Sequence, residues 1–234
     1  MRKLVALCLC GLLLSGVASL AAAEKEYNLY DYNPMELQMR WVYALRTSQA
    51  QGAVTGDAEV IGDEEVDGVR MKRFRWPSGW VDFYEQTEEG LKRHKDICCQ
   101  NIRRGVYEPP AIQYPKTMKM GEVYERTALR YNYNGQEDKP AQTLTETLRL
   151  SLLGEEDITV PAGTFKGCLK MMSDSRLFDK GNEVQRKIGL GWIAPGDGLV
   201  KKFSVDLVGG AVTHMEEAEL KEFLKPEPAK ETKE

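Results

Sequence analysis

The chain has 234 residues, of which 32 are Lys or Arg and 36 are Asp or Glu, so its formal net charge is −4. A mildly acidic protein does not attract polyanions, so nucleic acid and an anionic membrane surface are both disfavoured as partners. Three cysteines lie beyond residue 23, enough for one disulfide bond and one remaining thiol in an oxidising compartment.

The N-terminus has the three parts of a secretory signal peptide. Arg2 and Lys3 are followed by an apolar run at residues 4–14 and by three alanines at 21–23. The apolar run is too short for a transmembrane helix, so we expect cleavage near Ala23 and export to the periplasm or the extracellular space. Residues 24–223 suit a single β domain, and the tail at 224–234, "LKPEPAKETKE", has so little to bury that we expect disorder.

Apolar and polar residues alternate in several stretches, which is the pattern of β-strands with one face on a core. The clearest are residues 123–133, 144–152, 184–192 and 202–207. We expect their apolar side chains to face the core and their polar side chains to face solvent. Turn dipeptides separate the runs at Asp67-Gly68, Glu89-Gly90, Asn134-Gly135, Gly181-Asn182 and Gly209-Gly210. The predicted fold is mainly β: a curved antiparallel sheet or incomplete β-barrel of about ten strands, with one short helical turn at 33–39.

The stretch "ITVPAGTF" (158–165) has the composition of a tight hairpin turn. Pro161 presets the backbone for the second turn position, and Gly163 suits the fourth. A nucleophile loop around Thr164 would need a base, and His94 and His214 are the two histidines that the chain has. An alternating strand, not a helix, follows the glycine, so we interpret the stretch as a turn.

Three motifs resemble the signature of a class of bacterial envelope proteins. They are "NPMELQMRWVY", "ITVPAGTFKGC" and "GWIAPGDGLVKK", in this order along residues 30–220. The class is catalogued as a domain of unknown function, and some members are labelled TapB-like. The resemblance implies an exported antiparallel β-sheet domain, similar in outline to periplasmic lipoprotein-carrier folds. Arg40 stands where that class usually has a glycine, and no catalytic residues come with the resemblance.

The cysteines are assigned by strand face. Cys98 and Cys168 both share a strand face with polar residues, whereas Cys99 shares its face with Ile97. We therefore expect a Cys98–Cys168 disulfide, with Cys99 buried and inert. The alternative is a redox or metal role for the cysteine pair together with His94, although no second pair of ligands accompanies it.

Two charged residues interrupt apolar faces. Glu146 lies among four leucines, and Arg186 shares its face with Val184, Ile188, Leu190 and Trp192. They form either a structural ion pair beneath the sheet or the polar floor of a ligand cavity. In the second case the candidate ligand-binding residues are Glu146, Arg186, Trp192 and Trp41. The tryptophans otherwise fill the core, or form an aromatic rim for glycan or lipid.

The sequence contains none of the common nucleotide, haem, zinc-protease or serine-hydrolase motifs. We therefore expect a non-enzymatic, exported module that acts by binding or scaffolding, with no cofactor and no metal site, and with an apolar ligand or another envelope protein as partner. One alternative is a carrier of a lipid or lipoprotein in an apolar cavity. Another is a hydrolase that uses two carboxylates, and a third is a structural subunit with exposed apolar patches.

Overall fold

The computed structural model describes residues 25–98, 103–135 and 137–226, which form fourteen β-strands and one 3-10 turn. The strands are β1 (Glu26–Asn28), β2 (Arg40–Thr47), β3 (Ala53–Val66), β4 (Val69–Arg75), β5 (Val81–Gln86), β6 (Gly90–Cys98), β7 (Arg103–Pro115), β8 (Thr117–Lys119), β9 (Val123–Asn134), β10 (Gln142–Val160), β11 (Gly163–Asp179), β12 (Asn182–Ala194), β13 (Gly198–Val208) and β14 (Ala211–Leu224). The prediction of a mainly β protein is confirmed.

Twelve antiparallel strands close into a barrel in the order β10-β11-β12-β13-β14-β2-β3-β4-β5-β6-β7-β9. The expectation of about ten strands in an incomplete barrel is wrong. The sheet closes because β14 pairs with β2, with Ala218 opposite Leu45, and because β9 pairs with both β7 and β10. Closure leaves none of these twelve strands with an unpaired edge. The "VPAGTF" stretch is a hairpin turn, as predicted: Val160 pairs with Gly163 across Pro161 and Ala162.

The predicted helical turn at residues 33–39 is absent. The chain instead forms a 3-10 turn at Leu29–Asp31, where the Asn28 side chain accepts a hydrogen bond from the Tyr30 amide. The Asn33 side chain donates to the Leu29 carbonyl rather than capping a helix. Gln38 has a left-handed backbone (φ 68°), and its amide donates to Val60. The backbone groups of Gln38 and Met39 therefore form hydrogen bonds with Val60 of β3 and not within a helix.

A short ribbon and a dense apolar core fill one half of the barrel, which we call the closed half. Strands β1 and β8 form the two-stranded ribbon, and it carries Tyr27 and Met118 inward, with Leu29 of the 3-10 turn beside them. Leu150 and Leu152 of β10 are among the buried side chains that they contact. A second apolar cluster around Trp41 adjoins the first. These side chains leave the closed half solid.

In the other half, the polar faces of several strands turn inward, which reverses the expected orientation. On β13, Ser204 is 1% exposed whereas its neighbour Phe203 is 44% exposed. Lys187 and Lys202 line the interior, while Ile188 lies on the outer face opposite Val205. An alternating pattern shows that the two faces of a strand differ, but it assigns neither to the core. Here the interior contains a cavity, so polar side chains can occupy it.

The expected Cys98–Cys168 disulfide is not found among the described residues. Cys98 lies at the end of β6 opposite Arg103, whereas Cys168 pairs with Glu156 near the far end of β10. More than a dozen residues of strand separate these levels, which at about 3.3 Å per residue exceeds the reach of a disulfide. Both cysteines are buried, and the Cys168 thiol donates to the Phe165 carbonyl at 3.6 Å. Burial also raises the pKa of Cys168 to about 11, which makes it a poor nucleophile.

The predicted signal peptide at 1–23 and Cys99 lie outside the described residues. Of the predicted tail, Leu224 still belongs to β14, and residues 227–234 lie outside the described part. No helix within the described ranges is long and apolar enough to cross a membrane.

Candidate ligand-binding cavity

A cavity of about 1140 Å³ occupies the half of the barrel opposite the ribbon. Its mouth lies among strand ends, where Ser78, Asn134, Asp179 and Val208 line it. Its charged lining consists of six carboxylates (Asp82, Asp96, Glu146, Asp179, Asp206 and Glu216) and six basic side chains (Arg93, Arg103, Arg104, Arg130, Lys187 and Lys202). The neutral polar lining includes Asn132, Asn134, Gln113, Gln142, Gln185, Ser173 and Ser175. The charged part of the wall is therefore close to charge balance, and side chains such as Trp80, Leu144, Leu148 and Leu177 add apolar surface to it.

Glu146 lies at the centre of the cavity floor. It is 2% exposed, and its carboxylate accepts hydrogen bonds from Arg126 at 2.8 Å, from the Tyr107 hydroxyl at 2.7 Å and from Arg93 at 3.4 Å. Arg126 also donates from Nε to the Ile112 carbonyl. Burial opposes ionisation, but the two guanidinium groups and the hydroxyl outweigh it and lower the pKa of Glu146. The carboxylate is thus a charged, hydrogen-bonded part of the floor.

Tyr107 organises the arginines around this carboxylate. Its ring lies 4.7 Å from the Arg93 guanidinium carbon, 5.9 Å from that of Arg126 and 5.8 Å from that of Arg130. Arg93 also donates to the Tyr107 hydroxyl at 2.5 Å. The π face of the ring attracts cations and separates like charges that would otherwise repel each other.

Two further carboxylates face one another on neighbouring strands. Asp82 of β5 is the cross-strand partner of Asp96 of β6, and both are buried. The Trp76 indole and the Tyr84 hydroxyl donate to Asp82 at 2.6 and 2.7 Å. Arg130 holds Asp96 at 2.8 Å. The two acids are therefore fixed by separate sets of donors.

The environment of Asp96 differs from that of Glu146. Burial raises the pKa of Asp96, the nearby Asp82 adds to the rise, and Arg130 and Arg93 only partly offset it. The Oδ2 atom of Asp96 has no hydrogen-bond partner among the described residues. Gly105 lies above this pair, where a Cβ atom would come within 2.6 Å of Arg130 Nε and 2.9 Å of Asp96 Oδ1. The absence of a side chain at Gly105 therefore makes room for the Arg130–Asp96 pair.

The opposite wall, on β12, β13 and β14, is also built from paired charges. Lys202 contacts Glu216 at 2.8 Å, and Lys187 contacts Asp206 at 3.4 Å. Burial lowers the pKa of Lys202, with Lys187 contributing to the effect, while Glu216 partly compensates. The expected apolar faces of β12 and β13 lie mostly outside, so the sequence pattern did not identify this wall.

Of the four predicted ligand-binding residues, only Glu146 lines the cavity. Arg186 does not pair with Glu146, because its guanidinium makes two 2.8 Å bonds to Asp174 on the outer face of the barrel. Burial opposes ionisation of Asp174, but the hydrogen bonds from Arg186 and Arg176 lower its pKa to about 2.

The two predicted tryptophans lie elsewhere in the barrel. Trp192 donates to Glu156, and Lys170 lies over its ring. Trp41 is 3% exposed in the closed half, where its indole donates to the Asp197 carbonyl at 2.5 Å.

The three motifs that carry the family resemblance meet in the closed half. Trp41 of the first motif contacts Asp197 of the third, and Tyr43 donates to the Leu199 carbonyl at 2.8 Å. The turn of the second motif and residues 194–197 of the third line a small cleft of about 310 Å³. Gly198 allows this packing, since a Cβ atom there would approach the Trp41 ring to 3.2 Å. These contacts give the motifs a structural role.

The sequence reasoning missed most of the cavity floor. Arg126 and Arg130 share a face with Tyr124 on β9, which the alternation placed outside, and Asp96 was grouped with a polar outer face. Arg126 and Arg130 are four residues apart on one strand face. This local concentration of positive charge was a usable signal, because it requires carboxylates nearby. Within the part of the chain that the structure describes, no group of three His, Cys, Asp or Glu side chains could hold a metal ion.

Comparison with known proteins does not assign the chain to a family. No family model matches it, and no curated protein matches it, so the resemblance noted above stays a prediction. A candidate lipoprotein from Parabacteroides distasonis ATCC 8503 is similar in structure, with 14% identity, a TM-score of 0.44, and coverage of 82% of this chain and 98% of that one. A candidate exported protein with a YmcC-like fold from Bacteroides fragilis NCTC 9343 has 11% identity, a TM-score of 0.40, and coverage of 83% and 99%. Likenesses of this size assign no function.

Proposed function

We propose that the protein is an exported binding module that takes a small polar molecule into the open half of its barrel. The observation that carries this proposal is the cavity of about 1140 Å³, which is closed on one side by an apolar core and walled by polar side chains. Ligand sites in proteins are concave, largely preformed and often lie in the mouths of β-barrels. The volume accommodates a molecule of several rings.

The chemistry of the floor favours a polar ligand over a lipid. A lipid carrier requires an apolar lining, whereas the lining here includes the buried Glu146 carboxylate and the Arg93 guanidinium that donates to it. An acyl chain against them would have to displace hydrogen-bonding partners without replacing them. Leu144 and Leu148 flank Glu146 and provide some apolar surface beside the charges. The lipid carrier therefore remains the less favoured form of the binding function.

A two-carboxylate hydrolase is a second candidate, because of the Asp82–Asp96 pair. Asp82 and Asp96 are cross-strand partners, whose Cα atoms lie about 5 Å apart, and glycoside hydrolases use two carboxyl groups about 5–10 Å apart. The raised pKa of Asp96 suits a general acid, and Asp82 would supply the second carboxylate. Turnover of a glycan library by the purified protein, lost in Asp96→Asn, would establish this candidate; no turnover would exclude it.

The binding function is tested by blocking the cavity. The protein, made in a host that exports it, is screened by ligand-observed NMR against a library of sugars, amino acids, dipeptides, nucleotides and small organic acids. Ser175→Trp places a large ring in the cavity, whereas Thr143→Trp adds the same ring on the outer face of β10. We expect at least one compound to bind the parent and Thr143→Trp but not Ser175→Trp. If every hit survives Ser175→Trp, or if there is no hit, the proposal is wrong.

A further inference from the structure

We infer that the ligand is neutral and rich in hydroxyl groups, that is, a carbohydrate of a few sugar units, an inference that rests on the binding function proposed above. Four features of the cavity support this ligand class: the pairing of its charges, the neutral groups between them, the aromatic side chains near its mouth and unmet hydrogen-bonding capacity in its wall.

Most of the buried charges of the wall are neutralised within the protein, whereas Arg103 and Arg104 of the lining have no carboxylate partner among the described residues. Arg130 pairs with Asp96 at 2.8 Å, Lys202 pairs with Glu216 at 2.8 Å, and two arginines hold Glu146. A charged ligand would have to leave water and compete with these partners for its counter-charge. A neutral ligand avoids this cost and still uses the paired groups, because carboxylates and guanidinium groups keep free lone pairs and N–H donors.

Neutral amides and hydroxyls occupy the space between the ion pairs. Gln185 and Asn132 lie on different walls of the cavity, and Ser173 and Ser175 lie side by side on β11. An amide both donates and accepts hydrogen bonds, as does a hydroxyl. Sugars present the same dual groups around a ring, so this lining can satisfy a sugar hydroxyl from either direction.

Aromatic side chains stand at the mouth. Trp80 and Trp76 flank the β4–β5 turn, and Tyr133 lies at the end of β9. Aromatic faces are negative and attract weakly positive groups such as the C–H groups on the flat side of a pyranose ring. Arg104 lies 4.4 Å from the Tyr133 ring, so one face of that ring is taken, and Trp80 is the stronger candidate for stacking.

The wall also holds buried polar atoms that lack partners among the described residues. Asp96 is 2% exposed and lines the cavity, and its Oδ2 atom makes no hydrogen bond. The Nε atoms of Arg93 and Arg130, in the same cluster, are also without a partner. An unpaired buried acceptor beside unpaired donors suits a group that is both donor and acceptor, and a hydroxyl is the smallest such group.

The test compares neutral with charged sugars, and the trisaccharide of glucosamine is the charged ligand of matched size. Isothermal titration calorimetry is performed with neutral trisaccharides of glucose, mannose, galactose and N-acetylglucosamine, with the trisaccharide of glucosamine, with glucose 6-phosphate and glucuronate, and with every hit from the polar library. We expect a neutral trisaccharide to bind at least about tenfold more tightly than the charged trisaccharide of glucosamine. We expect Trp80→Ala and Gln185→Ala each to weaken that binding about tenfold, while Thr143→Ala on the outer face leaves it unchanged.

The outcomes separate this inference from the binding function. If charged compounds alone bind, and Ser175→Trp abolishes their binding, the carbohydrate inference is wrong while the binding function stands. If neutral trisaccharides bind Trp80→Ala and Gln185→Ala as tightly as they bind the parent protein, they do not occupy this cavity and the inference also fails. If no compound binds, both fail. Circular dichroism and the unfolding midpoint of each variant confirm that it is folded before binding is compared.

Discussion

The most informative perturbation is Glu146→Gln, because it removes one charge from the floor while keeping the shape of the side chain. Glu146 is 2% exposed and accepts bonds at 2.8 Å from Arg126 and 2.7 Å from Tyr107, with Arg93 at 3.4 Å. The amide can still accept from Tyr107, but the change leaves the buried Arg126 guanidinium without a counter-charge and Arg93 with only the Asp82 carboxylate, 3.8 Å away. Breaking a buried pair in this way costs about 3–5 kcal/mol, so we expect a loss of that size in the free energy of unfolding.

The chain offers a matched control on the same two strands. Glu125 of β9 and Arg149 of β10 are cross-strand partners on the outer face, 3.4 Å apart, with side chains 65% and 55% exposed. Exposed pairs contribute little, so Glu125→Gln should change the stability by less than about 1 kcal/mol. Urea unfolding followed by tryptophan fluorescence measures both losses in stability. If the slope of the unfolding free energy against urea concentration is unchanged, the parent and the variants expose the same surface on unfolding.

Two further measurements sharpen this prediction. The double variant Glu146→Gln/Arg126→Gln removes one charge of each sign, so its loss should be smaller than the sum of the single losses by about 1–3 kcal/mol. The folded-state pKa of Glu146 is below its usual value of 4.5, so its contribution is present above that pH and is lost as the pH falls below it. The Glu146→Gln variant and the parent should therefore converge in stability in acid. Equal losses for Glu146→Gln and Glu125→Gln at neutral pH would refute the reasoning.

Three other predictions test the packing, the orientation of the strands and the outer ion pairs. Gly105→Ala should cost about 1–3 kcal/mol, since the new methyl would displace the arginine and aspartate paired beside it; Gly154→Ala, which meets no atom within 4 Å, is the control and should be neutral in the same urea titration. Leu152→Ala should cost about 2–5 kcal/mol because Leu152 is 0% exposed. Phe203→Ala should cost under about 1 kcal/mol because Phe203 is 44% exposed. A larger loss of stability for Phe203→Ala than for Leu152→Ala would mean that Phe203 faces the core and that β13 has the opposite orientation. Asp174→Asn should cost about 1 kcal/mol at pH 7, discounted for the exposure of its arginine partners; because its folded pKa of about 2 is below the usual 3.8, this difference should disappear between pH 4 and pH 2 in acid-unfolding curves.

The sequence by itself determined the local structure. Alternation between two faces, hairpin dipeptides and the Pro161-Ala162 turn are short-range features, and they suffice to predict antiparallel β-structure. The inward face of β10 was also predictable, because four leucines surround Glu146 on it. These inferences need only the stereochemistry of the strand and the tendency of apolar groups to be buried.

Only the tertiary structure decided closure, strand orientation and the partners of Glu146. Arg93, Tyr107 and Arg126 are 53, 39 and 20 residues away along the chain, so no local pattern joins them to it. The faces of β9 and β13 were predicted in reverse because a barrel with a cavity can keep polar side chains inside, and alternation alone does not reveal which side encloses that space. The closure of twelve strands around a half-filled interior is a property of the whole sheet. It brings charged residues that are far apart in the sequence together in one cavity.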